Sequence, residues 1–386
     1  MYNVGELIRS EAYLDALAES LDGGTPPPLL RCAKIKLTSR CNLRCVMCKY
    51  WQTVDEQTVS SERWRDVFAE LGELGCRKVH FSGGEVFLRR DFLDLVEAAV
   101  ARGLKVNLTT NGTLVDRHRA DRLAAAGVNS VSISLDGPSP RTHDEIRGQA
   151  RAFKRSVRTI RRLKAADPRL KIRINTVLMR SNFRRLPAMV KLGGELGVTD
   201  VLPMPVDEKG PRKNRLSARQ ILEYNREIAP AVAELRQAYG FSTATPFVYP
   251  FGVTDAEVRL SARGFYARGF FERRACLAPW LHAFFAWDGE TYLCCMTNGR
   301  MASLGNVGRQ SARDVFHGEA YRHVREEFLA GRHLPSCHRC DLFLRENAEL
   351  HAALDQVGER SGARAPVHRV DAPGSGVAPV ADGSRE

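Results

Sequence analysis

Long hydrophobic runs and a dense set of cysteines are both missing from this chain. No stretch approaches the roughly 20 apolar residues that a transmembrane helix needs, so we expect no membrane span. Ten cysteines in 386 residues are too few for a disulfide scaffold. Eight of the ten fall within residues 41–48, 276–295 and 337–340. This grouping predicts metal ligation under reducing conditions and therefore a cytoplasmic location.

Lysine is also scarce, and the basic charge is carried almost entirely by arginine. Eleven of the 58 basic residues are lysine, none of them after Lys213, so 47 are arginine. This skew is typical of coding bias in a GC-rich genome, and the arginines are scattered along helical segments rather than interleaved with aromatic residues. Nucleic acid is therefore not expected as a partner, despite the net charge of +13. An anionic small-molecule substrate or an acidic electron-transfer protein suits that charge.

The two ends of the chain differ from its middle. Residues 1–21 place acidic and apolar side chains at helical spacing, which predicts an amphipathic cap helix rather than a signal peptide. A proline linker at 26–28 follows, so residues 1–30 form a cap and linker. Residues 361–386 lack periodicity and are predicted to be a disordered tail. A chain of this length predicts a main domain with an appendage.

The most informative motif is C-x3-C-x2-C at Cys41, Cys45 and Cys48. It directly follows an alternating apolar stretch that predicts a strand. Three thiolates on one short loop can hold three irons of a four-iron cluster and leave the fourth iron open for chemistry. Zinc is the alternative, but structural zinc is usually closed by four ligands, and no fourth ligand lies nearby in the sequence.

Strands and helices alternate up to about residue 204, which predicts parallel strands joined by right-handed crossovers in an α/β fold. Candidate strands are 33–38, 77–82, 104–109, 130–135, 171–178 and 199–204, and candidate helices are 60–74, 91–102, 116–126, 150–165 and 183–196. Four motifs lie at or after strand ends, where the chemistry of such barrels gathers. They are Gly83-Gly84-Glu85, Thr109 to Gly112, Ser132 to Gly137 and His143 to Gly148.

A bridge over residues 205–275 separates this region from the later cysteines. Helical sequence from about 218 to 239 is expected to kink or split at Pro230. The proline-containing segment 245–251 is expected to be non-helical, as a substrate lid or as a hydrophobic tuck.

A second cysteine set comprises Cys276, Cys294, Cys337 and Cys340. Asp288-Gly289 between two apolar runs predicts a β-hairpin inside this set. Spacing alone is compatible with either a zinc ribbon or an iron–sulfur cluster. The neighbouring Cys295 leaves open which of the two adjacent thiols is the ligand.

Together these motifs resemble the radical S-adenosylmethionine (radical SAM) superfamily with a SPASM or Twitch type appendage. The resemblance implies a partial (β/α)6 barrel over 31–204, the bridge at 205–275, and an auxiliary-cluster domain over 276–345. It implies two [4Fe-4S] clusters, one catalytic and one auxiliary, with S-adenosyl-L-methionine and a flavodoxin or ferredoxin-type electron donor.

The resemblance also implies roles for individual residues. The first three cysteines bind the catalytic cluster, and S-adenosylmethionine chelates its open iron and is cleaved to a 5′-deoxyadenosyl radical. Gly83 and Gly84 let the backbone approach the methionine moiety, Glu85 binds its amino group, and Arg147 pairs with its carboxylate. Candidate hydrogen-bond partners for the ribose and carboxylate are Asn111, Ser134 and Asn175. For each residue the alternative is a strand-end side chain that satisfies backbone groups.

The reaction expected from the resemblance is oxidation, epimerisation or decarboxylation of a small carbohydrate-like or nucleoside metabolite in antibiotic biosynthesis. A dehydrogenase is favoured, similar to 2-deoxy-scyllo-inosamine dehydrogenase and cytosylglucuronate decarboxylase. Forty residues before the first motif cysteine are few for a leader-recognition domain. The alternative is a maturase that modifies a ribosomal peptide or protein side chain.

Overall fold

The computed structural model describes residues 4–22, 30–48, 50–52, 58–208, 213–341 and 344–361. The predicted proline linker at 26–28 lies outside these residues, as do residues 362–386 of the tail predicted over 361–386; Ser361 ends the last described helix. None of the helices in the described ranges is long and apolar enough to span a membrane.

The strands of the described residues form one open sheet in the order β6-β5-β4-β3-β2-β1-β7-β8. All neighbouring pairs are parallel except β7 and β8, which form an antiparallel hairpin. The strands are β1 Cys32–Lys36, β2 Lys78–Ser82, β3 Lys105–Thr110, β4 Ser130–Ser134, β5 Lys171–Leu178, β6 Asp200–Pro205, β7 His282–Phe285 and β8 Thr291–Tyr292. The predicted α/β partial barrel is confirmed, and each of its six predicted strands is found within two residues.

The hairpin of the second cysteine region joins the barrel sheet directly. β7 pairs in parallel with β1, with Cys32 opposite His282 and Ile35 opposite Phe285. The predicted Asp288-Gly289 turn closes the hairpin, and Gly289 adopts φ +87°, which favours glycine. The two cysteine regions are therefore connected through one continuous sheet.

The two faces of the sheet differ in polarity. Phe81 of β2 packs against Phe68 and Phe92, with ring centroids 5.7 and 6.1 Å away, so odd-numbered residues of β2 face the helices. Its neighbour His80 points to the opposite, concave face. Strand register places Lys34 and Asn107 beside His80 on that face. Alternation therefore buries apolar side chains under the helices and lines the barrel interior with polar ones.

Helices pack on the apolar face of the sheet. They are α1 Val4–Leu7, α2 Glu11–Asp22, α3 Ser61–Glu73, α4 Phe92–Ala101, α5 Arg117–Ala125, α6 Pro140–Arg147, α7 Ala152–Ala166, α8 Leu186–Glu195, α9 Ala218–Glu223, α10 Ala229–Ala238, α11 Thr245–Val248, α12 Asp255–Ala262, α13 Phe270–Arg273, α14 Ala278–Leu281, α15 Ala312–His317, α16 Glu319–Leu329 and α17 Leu344–Ser361. Short 3₁₀ turns lie at Tyr50–Gln52, Val86–Leu88, Phe183–Arg185 and Cys337–Arg339, and a π-helical turn at Tyr224–Ile228.

Several helices differ from the prediction for identifiable reasons. At the predicted break near Pro230, a π-helical turn separates α9 from α10. Pro230 lies in the first turn of α10, where its missing N–H removes no intrahelical hydrogen bond. The expectation that segment 245–251 is non-helical is wrong for Thr245–Val248, again because Pro246 starts the helix. The helices α6, α12, α13, α14 and α17 were not predicted. α17 packs against α1 and α2.

Candidate active site

The loop that carries Cys41, Cys45 and Cys48 leaves the carboxyl end of β1 and packs against the Gly83-Gly84-Glu85 turn after β2. The Gly84 amide donates to the Thr38 carbonyl and the Glu85 amide to the Arg40 carbonyl, both at 2.8 Å. A Cβ at Gly83 would lie 2.4 Å from the Thr38 oxygen, and one at Gly84 would lie 2.1 Å from the Arg40 oxygen. The close approach that requires these glycines in the described contacts is therefore to the cysteine loop, and the predicted approach of their backbone to the methionine moiety stays a prediction.

Glu85 is fully buried and joins the ends of β2 and β3. Its carboxylate accepts from Thr110 Oγ1 at 2.7 Å and from the Asn111 amide at 2.8 Å. Burial raises the pKa of the Glu85 carboxyl, and the hydrogen bonds partly oppose that shift. Its predicted contact with an amino group stays a prediction.

Asn111 anchors the cysteine loop from β3. Its Nδ2 donates to Asn42 Oδ1 at 2.9 Å, and Asn42 Nδ2 donates to Thr113 Oγ1 at 2.9 Å. Asn42 directly follows the first motif cysteine. In the described contacts Asn111 thus positions the cysteine loop, and its predicted cofactor contact stays untested.

Arg147 lies behind the cysteine loop at the end of α6. It is 8% exposed, its Nη2 lies 2.7 Å from Asp136 Oδ2, and its Nη1 donates to Cys45 Sγ at 3.7 Å. The Val46 amide donates to the Ile146 carbonyl at 3.0 Å, so α6 also holds the loop through its backbone. In the described contacts Arg147 therefore forms an ion pair with Asp136, and its predicted pairing with the cofactor carboxylate stays a prediction.

His143 of the same helix is buried and accepts from the Asp136 amide through Nδ1 at 3.1 Å. Burial lowers the pKa of His143 to about 3, and the nearby Arg147 charge adds to the shift. The imidazole is therefore neutral at physiological pH.

Ser134 and Asn175 are brought together by strand register. They lie opposite each other near the carboxyl ends of β4 and β5 on the concave face, and both are half-buried. Met47, which precedes the third cysteine, packs with Ile146, Met179 and Val206. Ser134 and Asn175 therefore supply polar side chains, and the cluster around Met47 supplies apolar ones, on the side of the sheet where the cysteine loop lies.

Cys41 and Cys45 resist ionisation as free thiols. Burial raises the pKa of Cys41 to about 11 and raises that of Cys45 as well, with Arg147 opposing the shift for Cys45. Such thiols become good ligands when a bound metal compensates the thiolate charge. The donor set of three sulfurs on one loop suits a [4Fe-4S] cluster with one open iron.

The second set of cysteines converges on one cavity. Cys276, Cys294, Cys337 and Cys340 all line it, together with apolar side chains that include Phe271 and Phe328. Burial raises the pKa of Cys294 to about 12 and that of Cys337 to about 11. Asn347 Nδ2 of α17 lies 4.0 Å from Cys276 Sγ. Four thiols around a cavity suit a cluster that binds each sulfur at a different iron.

Among the described residues, no three His, Cys, Asp or Glu side chains lie close enough together to hold a single metal ion. Cys295 lies outside the lining of the auxiliary cavity. It interacts electrostatically with Lys36 and Tyr50 instead. The structure thus separates the two adjacent thiols that the sequence left as alternatives, with Cys294 on the cavity side.

Lys36 is a further candidate that sequence reasoning missed. It is the last residue of β1, only 5% exposed, and its Nζ lies 3.2 Å from the centroid of the Tyr50 ring. Burial lowers the pKa of Lys36 to about 7, and the Lys34 charge adds to that shift. The signal available in the sequence was the alternation of polar and apolar residues along β1, in which Lys36 occupies a polar position.

Comparison with protein families matches both regions. Residues 35–193 match the radical SAM superfamily, and residues 276–341 match the SPASM iron–sulfur cluster-binding domain. The chain combines a radical SAM domain with a SPASM domain. These two domains imply [4Fe-4S] clusters and S-adenosylmethionine as cofactors, which agrees with the donor sets above.

Several known proteins are similar to this chain. The PqqA peptide cyclase of Bradyrhizobium diazoefficiens is 29% identical over 219 residues, 56% of this chain and 57% of the relative. The PqqA peptide cyclase of Xanthomonas campestris is 28% identical over 360 residues, 89% of each chain. The AdoMet-dependent heme synthase of Methanosarcina barkeri is 27% identical over 312 residues, 77% of this chain and 85% of the relative. The alignment with the first of these relatives spans little more than half of its length.

The structure of Streptococcus suis SuiB bound to precursor peptide SuiA has the same fold. Its TM-score is 0.62 at 15% identity, and the match covers 85% of this chain and 75% of SuiB. This likeness supports the arrangement of a radical SAM barrel followed by a SPASM domain.

Proposed function

We propose that the protein is a radical SAM enzyme that modifies an amino-acid side chain in a peptide or protein. The observation that carries this proposal is the alignment with a PqqA peptide cyclase over 89% of both chains. The carbohydrate-like or nucleoside substrate expected from the sequence has no counterpart in the names of the relatives above. The peptide alternative is therefore favoured over it.

The cysteine loop would hold the catalytic cluster through Cys41, Cys45 and Cys48. When bound, the cluster and S-adenosylmethionine supply one-electron radical chemistry. Arg147 positions Cys45 through the 3.7 Å contact with its sulfur, and Asn111 fixes the loop through Asn42. The polar concave face beside the loop would orient the substrate.

The second set of cysteines would hold the auxiliary cluster. Because β7 pairs with β1, the auxiliary cavity is held at a fixed position relative to the cysteine loop. An acidic flavodoxin or ferredoxin-type protein remains our proposed electron donor, since its charge would complement the net charge of +13.

The test uses the anaerobically reconstituted protein with S-adenosylmethionine, dithionite and short peptides encoded beside its gene. We expect 5′-deoxyadenosine together with a mass change in one peptide, both measured by mass spectrometry. The Cys41→Ala/Cys45→Ala/Cys48→Ala variant should form neither product. Turnover of a nucleoside or aminocyclitol, with every peptide unchanged, would reject the proposal.

A haem precursor is the second candidate substrate. The heme synthase of Methanosarcina barkeri aligns over 85% of its own length, which favours testing it. Porphyrin products detected by absorbance in the same assay, without peptide modification, would select this candidate.

A further inference from the structure

Lys36 is a buried lysine without a carboxylate partner among the described residues. It is 5% exposed, and its ammonium lies over the Tyr50 ring at 3.2 Å and 5.6 Å from the Phe284 ring centroid. The charged or titratable groups that face it are Lys34, Cys48 and Cys295. Burying an ammonium group is costly, and a cation–π contact compensates only part of that cost.

Tyr50 adds a hydrogen-bond donor beside this ammonium. Its hydroxyl oxygen accepts from Asn298 Nδ2 at 3.0 Å, which leaves the phenolic proton available to a ligand. The Trp287 ring packs edge-on against Tyr50 at 6.3 Å and restricts its orientation.

The position of these groups fits a substrate site. Lys36 ends β1 on the concave face, opposite Ser82 in register. Asn298 follows the hairpin of the SPASM domain, so the two domains meet here. The carboxyl ends of barrel strands are where ligands and reacting groups gather.

We propose that Lys36 and Tyr50 form a carboxylate-binding subsite that receives an acidic side chain of the substrate. One cation balances one negative charge, and two donors match the two carboxylate oxygens, whereas phosphate carries close to two charges. The assignment of this carboxylate to a peptide residue rests on the proposed function. The methionine carboxylate of S-adenosylmethionine has the same chemistry, and the experiment must separate the two sources.

The test measures binding of two capped tripeptides, acetyl-Ala-Glu-Ala-amide and acetyl-Ala-Gln-Ala-amide, to the reconstituted full-length protein saturated with S-adenosylmethionine. Saturation-transfer NMR without reductant detects weak binding and avoids turnover. We expect the glutamate peptide to bind about tenfold more tightly, as a charge-assisted hydrogen-bonded pair predicts. Lys36→Met should remove this preference, and Lys36→Arg should retain most of it.

Lys105→Met is the matched control, because Lys105 is an exposed strand lysine and its loss should leave the preference intact. Equal or undetectable binding of both peptides to the wild-type protein, or an unchanged preference in Lys36→Met, would overturn the subsite. Weaker S-adenosylmethionine binding by Lys36→Met with the preference unchanged would assign Lys36 to the methionine carboxylate and also overturn it. The wild-type comparison does not depend on the folding of any variant. Because no peptide is turned over, failure here is distinguishable from failure of the proposed function.

Discussion

Replacing Gly84 by alanine should separate the cysteine loop from the turn that supports it. The added Cβ would lie 2.1 Å from the Arg40 oxygen and 2.5 Å from the Ser39 oxygen, both of which are backbone atoms that cannot rotate away. Relief requires the two loops to move apart and lose their two backbone hydrogen bonds. Overpacking costs about 1–3 kcal/mol and each hydrogen bond about 1 kcal/mol, so we expect a loss of about 3–5 kcal/mol.

Gly72→Ala is the matched control. Gly72 lies inside α3, and a Cβ there meets nothing within 4 Å, so the substitution should stabilise the helix by about 0.5–1 kcal/mol. Denaturant unfolding midpoints of the two variants and the wild-type protein measure the difference. Iron content is a second measurement, since the catalytic cluster should be lost and the auxiliary cluster retained, leaving about half of roughly eight irons.

The reasoning would be refuted by a Gly84→Ala protein with wild-type stability and full iron content. Equal destabilisation by Gly72→Ala would also refute it, because the effect would then come from the loss of any glycine rather than from the loop contact.

Three further predictions follow from the site. Arg147→Met should change the electron paramagnetic resonance spectrum of the reduced catalytic cluster and leave S-adenosylmethionine affinity within about twofold; a large loss of that affinity with an unchanged spectrum would instead support the pairing of Arg147 with the cofactor carboxylate. Cys294→Ser should lose auxiliary iron and Cys295→Ser should keep it, and the reverse result would show that Cys295 is the ligand. The pKa of His143 is depressed to about 3 in the native state. Below about pH 6.5 this histidine therefore takes up a proton in the unfolded state but not in the native state. The free energy of unfolding consequently falls on acidification. His143→Asn should make that fall shallower by up to about 1.4 kcal/mol per pH unit in urea titrations, and an identical pH dependence in both proteins would contradict the assignment.

Local patterns in the sequence were sufficient to predict the strands of the barrel and to recognise its motifs. The alternation of apolar residues located all six barrel strands, because residue spacing along a strand is set by backbone geometry that needs no tertiary information. The three-cysteine loop was recognisable for the same reason, since its spacing lies within eight consecutive residues. The hairpin at Asp288-Gly289 was predicted because a tight hairpin turn requires a residue with a positive φ, which glycine adopts readily.

The partners of individual side chains were decided only by the tertiary structure. The contacts of Arg147 with Asp136 and with Cys45, about 100 residues away in sequence, depend on where α6 packs. The polar face that contains Lys36 becomes an interior only when the sheet curves and the hairpin pairs with β1. Adjacent residues such as Cys294 and Cys295 have almost the same sequence context, and what separates them is the direction in which each thiol points. These contacts join distant segments, so they arise from packing and register that the local pattern does not encode.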